Sequence, residues 1–195
     1  MDILETVTFV GSIFIVIYLF MWQPHRVQGA SMDNTFHDGQ YIITSKISYR
    51  IGKPQIGDVV VFKSPNDPDY DFIKRIIGIP GDKISIASGK VTVNGFQLPE
   101  DYAQKPTNTF NNGFIGENEE IIVPEGAYFV LGDNRPRSSD SRDWGFVARS
   151  SIVGKVVFRY FPFDKMGFIE NPYSKKVSTI PNLNKLSFIP DYSLY

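Results

Sequence analysis

A mainly β, antiparallel body preceded by one N-terminal transmembrane helix is the fold class this sequence predicts. Three observations predict it. Residues 6–24 carry no charge, and at roughly 1.5 Å per residue they span about 28 Å as a helix, close to a bilayer core. Beyond them, short runs rich in Val, Ile, Phe and Tyr alternate with turn residues. No long stretch after residue 24 repeats its apolar residues with a helical period.

Each element follows in order. Trp22 closes the apolar segment, as interfacial aromatics do. Asp2 and Glu5 precede the run, so the basic start of a cleaved signal peptide is missing and an uncleaved anchor over 1–24 is expected. Strands are expected at 40–44, 58–63, 72–79, 83–86, 90–93, 120–123, 128–131 and 153–160. Gly57-Asp58, Pro80-Gly81-Asp82, Asn94-Gly95 and Gly132-Asp133-Asn134 punctuate them as turns. Residues 96–119 are polar and rich in Asn, Gly and Pro, and read as an excursion between strands. The body over 25–170 is expected to form packed sheets or a barrel. The tail, 171–195, contains Pro172, Pro181 and Pro190 and reads as irregular.

Composition narrows the function. The chain has 195 residues, 42% hydrophobic and 21% charged, enough for one domain with a real core. Its net charge is −1, without the basic excess of a nucleic-acid binder. Cysteine is absent, which removes disulfide scaffolds, thiolate metal sites and cysteine nucleophiles. Two histidines, His25 and His37, leave little room for a histidine metal site. The run Asp67, Asp69, Asp71 lacks the glycine and distal glutamate of a calcium loop and reads as a solvated turn.

The nucleophile candidates are serines. A Ser-His-Asp triad would pair Ser31 with His37, although a surface histidine in a turn is the plainer reading. A neutral lysine can also activate serine, provided burial brings its pKa down from about 10.4. Lys74 lies inside the apolar run 72–77. Strand alternation puts it on one face with Phe72 and Ile76, and Arg75 on the other, so one cation should face the core and the other solvent. Alone, such a lysine reads as solvated.

Three segments change that reading when taken together. They are Gly29-Ala30-Ser31-Met32 with Thr35, then Phe72-Ile73-Lys74-Arg75-Ile76-Ile77-Gly78-Ile79-Pro80-Gly81-Asp82, then GDNRPRSSDSRDWG over 132–145. In that order, from the anchor to about Phe163, the chain resembles bacterial type I signal peptidases, the membrane-anchored Ser/Lys proteases of the S26 family. The resemblance implies a signal-peptidase-like catalytic body. It implies Ser31 as nucleophile, Lys74 as general base and Ser138 as a hydroxyl that orients the lysine. Asp140 and Arg142, with Arg75 nearby, match a structural ion pair that shapes the site. Val27, Phe36, Phe72 and Ile73 match positions lining shallow apolar pockets for small residues before the scissile bond. The Ser31 backbone N–H would bind the oxyanion, and Gly29 stands where some members add a second, hydroxyl donor. Asn34 stands where the family usually has proline.

The resemblance also implies the partners: preprotein signal peptides and the lipid bilayer, with no nucleic acid, metal or cofactor, and a monomer is expected. Charge counting around the anchor, with Arg26, Lys46, Arg50 and Lys53 on the C-terminal flank, would put the body in the cytoplasm. A signal-peptide cleavage site emerges on the exported side, which instead implies an N-terminus inside and residues 25–195 outside the cell membrane. A catalytically weak relative that binds or chaperones surface proteins is the alternative, and the presence of Ser31, Lys74 and Ser138 together argues against it. A self-cleaving repressor of the LexA type shares the Ser/Lys chemistry, but this chain has no DNA-binding helices.

Overall fold

The computed structural model describes residues 2–174, apart from the side chains at 14 and 16–20. The tail beyond 174 lies outside the described residues. Helix α1 covers Ile3–Met21. Its most apolar half holds the six side chains that are not described. Among the described residues no helix is long and apolar enough to cross a membrane, so the anchor rests on the sequence. The helix stops short of residue 24, because Trp22 to Pro24 begin strand β1 (Trp22–Arg26). Pro24 is tolerated there because β1 is an edge strand.

The remaining elements follow the predicted order. They are β2 (Tyr41–Ser45), α2 (Ser48–Ile51), β3 (Val59–Lys63), β4 (Asp71–Gly78), β5 (Lys83–Ala87), β6 (Lys90–Val93) and β7 (Phe96–Gln97). Next come β8 (Glu120–Ile122), β9 (Ala127–Leu131), α3 (Ser141–Trp144), β10 (Val147–Ala148), β11 (Ile152–Phe161) and β12 (Gly167–Phe168). The larger sheet has the order β1-β2-β11-β3-β4-β9-β10, with β12 added beside β11. The smaller has the order β7-β6-β5-β8. Every pairing between these strands is antiparallel. The barrel alternative is not realised, since the large sheet runs from β1 to β10 without joining them.

Packing explains why the sheet is specified. On one face of β3, β4 and β9 lie Val60, Phe62, Ile76 and Val130. On the other lie Val59 and Val61 at one end, and Ile77, Phe129 and Leu131 at the other, where the small sheet contributes Ile84, Ile86, Val91 and Val93. Each such side chain contributes about 1.5–3 kcal/mol on burial. A strand covered on both faces loses the alternation of a half-exposed one. That corrects one expectation: Lys74 and Arg75 point to opposite faces, yet both are buried, at 4% and 2% exposure.

Local chemistry sets the connections. The β5–β6 and β6–β7 hairpins turn at Ser88-Gly89 and Asn94-Gly95, all four residues with positive φ, as two-residue hairpin turns require. Residues 98–119 add no further strand; half of them are exposed, while Leu98, Glu100, Thr107 and Ile115 are buried and tie the segment to the body. The chain then returns at the far end. Asn171 Nδ2 donates to Ile56 O at 2.8 Å and Asp58 Oδ1 at 3.0 Å, and Tyr173 is buried in the core between the two sheets.

Candidate active site

After β1 the chain makes a compact turn that carries Ser31. Met32 and Phe36 plunge into the core beneath it, and the amides of Thr35 and Phe36 both donate to Met32 O. Ser31 is thereby held at the head of the turn, half-buried. Asn134 grips the same turn from the other side: its N–H donates to Ser31 O at 3.0 Å and its Nδ2 to Ala30 O at 3.0 Å.

Lys74 reaches this turn from the middle of β4. Its Nζ donates to Ser31 Oγ at 2.9 Å and to Ile73 O at 3.1 Å. Burial pulls the amine down to about 8, against the opposing attraction of Asp140 and Asp133. A lysine with that pKa exists partly as the neutral amine near neutral pH, which is what accepting a serine proton demands.

Residues 132–142 wall the site. Gly132 lies so close to the turn that a Cβ would collide with Ser138 Oγ and Ser31 O. Asp140 holds Arg142 in a two-pronged pair, Nε to Oδ1 at 2.8 Å and Nη2 to Oδ2 at 2.9 Å. The same carboxylate accepts from Gly132 N at 3.0 Å, and Arg142 donates to Arg135 O at 2.7 Å. Arg75 lies behind the turn, with Nε and Nη2 on the two oxygens of Asp133 at 2.9 and 2.6 Å. Thr35 Oγ1 also donates to Asp133. Ser138 Oγ is buried and makes no hydrogen bond among the described residues. The hydrogen bonds of Lys74 go elsewhere, to Ser31 and Ile73.

A cleft of about 310 Å³ opens beside Ser31 and Lys74. Val27, Ile42, Val61, Phe72 and Ile73 give it apolar walls, and His25 and Asp71 also line it. Phe36 does not line it. It is fully buried with Val27 and Met32 in the core below, because the turn drives its ring inward. His25 Nδ1 lies 3.7 Å from Asp71 Oδ2, and burial lowers its pKa against that carboxylate. His37 Nδ1 lies 3.1 Å from Asp33 Oδ1 and is exposed, so its partner is Asp33 and not Ser31. Among the described residues no group of His, Asp and Glu is arranged to hold a metal ion.

The family model described as "Signal peptidase, peptidase S26" matches residues 1–161. The chain belongs to this family. It is therefore a peptidase of the S26 class. It is 33% identical over 189 residues to signal peptidase IB of Staphylococcus aureus, covering 90% of this chain and 98% of that one. It is 40% identical over 157 residues to signal peptidase I of Bacillus caldolyticus, covering 77% and 85%. A crystal structure of a signal peptidase I from Enterococcus faecalis overlays with a TM-score of 0.45 at 39% identity, over 53% of this chain and 97% of that one.

Within this S26 peptidase, the sequence marked the segment 132–145 without revealing what four residues do in it or against it. Asp133 pairs with Arg75, Asn134 grips the Ser31 turn, and Arg135 pairs with Glu100 at 2.5 Å. Arg135 and Glu100 are both buried. The turn-like string Gly132-Asp133-Asn134 reads as surface, and only its proximity to a central strand makes it interior.

Proposed function

We propose that this S26 peptidase is a membrane-anchored serine endopeptidase that removes N-terminal signal peptides from exported preproteins after small residues. The observation that carries this reading is the buried Lys74 amine at 2.9 Å from Ser31 Oγ, beside an apolar cleft. Neutral Lys74 takes the Ser31 proton as Oγ attacks the scissile carbonyl carbon. The resulting oxyanion accepts a hydrogen bond from the Ser31 backbone N–H. Collapse breaks the C–N bond, and Lys74 returns the proton to the leaving amine. Water, activated by the same amine, then hydrolyses the acyl-serine. Ser138 Oγ, buried and without a hydrogen-bond partner among the described residues, supplies a further hydrogen bond to Lys74 when the amine turns from Ser31 toward the leaving group.

Val27, Phe72 and Ile73 shape the cleft for small apolar side chains, and Phe36 backs it from the core. The Asp140–Arg142 pair positions the wall more than it adds stability. Helix α1, uncharged from residue 6 to its end, supports an anchor, and a cleavage site that emerges on the exported side puts the N-terminus inside and the catalytic body outside. Exposed Tyr41, Phe161, Phe163 and Phe168 on β2, β11, β12 and the connection between the last two support contact of the body with lipid. Protease shaving of intact cells should remove the body. A fully protected body would sink that topology.

The test is cleavage of a purified preprotein carrying an Ala-x-Ala site. Wild type in lipid should cut after the second Ala, and Ser31→Ala should not. A folded wild-type protein that binds the preprotein without cutting it would move the reading to a binding or assembly role.

A further inference from the structure

The turn that carries Ser31 is held from within by Asn134 and Arg75. On its outer side it meets a segment to which the sequence assigns no role. Asn34 has a φ of 89°. Asparagine and glycine adopt that left-handed backbone, whereas proline is locked near about −65° and does not. The side chain of Asn34 is bonded at both ends to the excursion. Its Nδ2 donates to Tyr102 O at 3.3 Å, and its Oδ1 accepts from Gln104 Nε2 at 3.1 Å.

That part of the excursion is itself tied to the groups that grip the turn from inside. Gln104 N donates to Asp133 O at 2.8 Å, and residue 104 forms a bridge with residue 134. The Tyr102 ring stacks on the Arg75 guanidinium at 4.2 Å. Arg75 in turn donates to Asp133 and to Thr35 of the turn. The Tyr102 hydroxyl meets the hydroxyl of buried Tyr173 at 3.0 Å. Residues 102–104 therefore touch the turn through Asn34 and touch both of its inner supports.

We infer that Asn34 and Gln104 are positioning residues, which lock the Ser31 turn to the 102–104 segment so that Ser31 Oγ stays within reach of Lys74. Within residues 31–36 only Asn34, at the outer corner of the turn, is exposed; without its side-chain bonds that corner is free to shift, and a misplacement of about 1 Å costs on the order of a hundredfold in rate. Two side-chain bonds at Asn34 remove that freedom without filling the cleft. The inference rests on Ser31 as the nucleophile.

Three disrupting variants and one rescue, Asn34→Asp, test it: the disrupting ones are Asn34→Gly, which keeps the positive φ but removes both bonds, Gln104→Ala, which removes one, and the double variant. All are compared with wild type and Ser31→Ala in the preprotein assay, with folding checked by thermal melting. Amide hydrogen exchange of residues 31–36 is followed in parallel. Each single variant should lower kcat about tenfold with KM within about twofold. The double variant should lose no more than Asn34→Gly alone, because both changes break the same link. Exchange across 31–36 should rise in all three, and Asn34→Asp, which still accepts from Gln104, should recover part of kcat. Unchanged kcat, losses that multiply, or unchanged exchange overturns the inference. An inactive wild type would overturn the peptidase reading instead, and the exchange measurement would still decide whether 102–104 hold the turn.

Discussion

Lys74 shows how one residue joins stability to function. Its ordinary pKa is 10.5, and burial in the folded protein brings it to about 8. The unfolded chain therefore binds the extra proton between those values. Stability from this group rises with pH across that window, and below about pH 8 the buried cation costs roughly 3 kcal/mol. Lys74→Met should accordingly abolish cleavage yet raise stability at neutral pH by about 1–3 kcal/mol, read by urea unfolding. Lys74→Arg should be inactive as well, because a guanidinium does not deprotonate. For the wild type, kcat/KM should climb as pH rises through about 8, where the amine becomes neutral. A flat profile between pH 6 and 9 would remove Lys74 as the base.

At the scale of elements, one strand, one connection and the turn between β1 and β2 make the site. β4 carries Lys74 on one face and Arg75 on the other, and β3 and β9 flank it in the large sheet. The connection from β9 to β10 then folds back over the Ser31 turn. The Asp140–Arg142 pair gives that connection its shape, since Asp140 bonds Gly132 N while Arg142 bonds Arg135 O. Arg142→Ala would leave the Asp140 carboxylate buried without its cation, which costs about 3–5 kcal/mol. Urea unfolding of that variant should show a loss of this size. A loss under about 1 kcal/mol would mean that water reaches Asp140 when the guanidinium is gone.

At the scale of the whole molecule, the body is closed by the segment 171–174. Tyr173 sits in the core shared by the two sheets, against a backbone so close at Gly57 that a Cβ there would strike the Tyr173 ring. Tyr173→Ala should destabilise the body by about 3–5 kcal/mol, as loss of a buried aromatic does. An unchanged melting curve would show the 171–174 segment to be dispensable. The same segment reaches Tyr102 and, through its ring, Arg75, so residues 171–174 and the site share one packed unit.

Much of this was legible in the residues. Eight of the strands stand where runs of Val, Ile, Phe and Tyr between turn residues put them, because a pleated, buried surface selects those side chains. Asn94-Gly95 marked its hairpin turn through the positive φ that both residues accept. The short strands β1, β7, β10 and β12 escaped, since pairing of two to five residues is decided by the neighbouring strand and not by local pattern. Ser31 and Lys74 were named through the family resemblance, as nucleophile and base. Local sequence determined the strands, the turns and the uncharged N-terminal segment, because these depend on side-chain shape and polarity within a few residues. The tertiary structure alone decided that Lys74 and Arg75 are both buried, that Asp133 and Asn134 lie inside, and that Phe36 sits beneath the cleft. Burial depends on what covers a strand's second face, and that covering comes from chain far away in sequence.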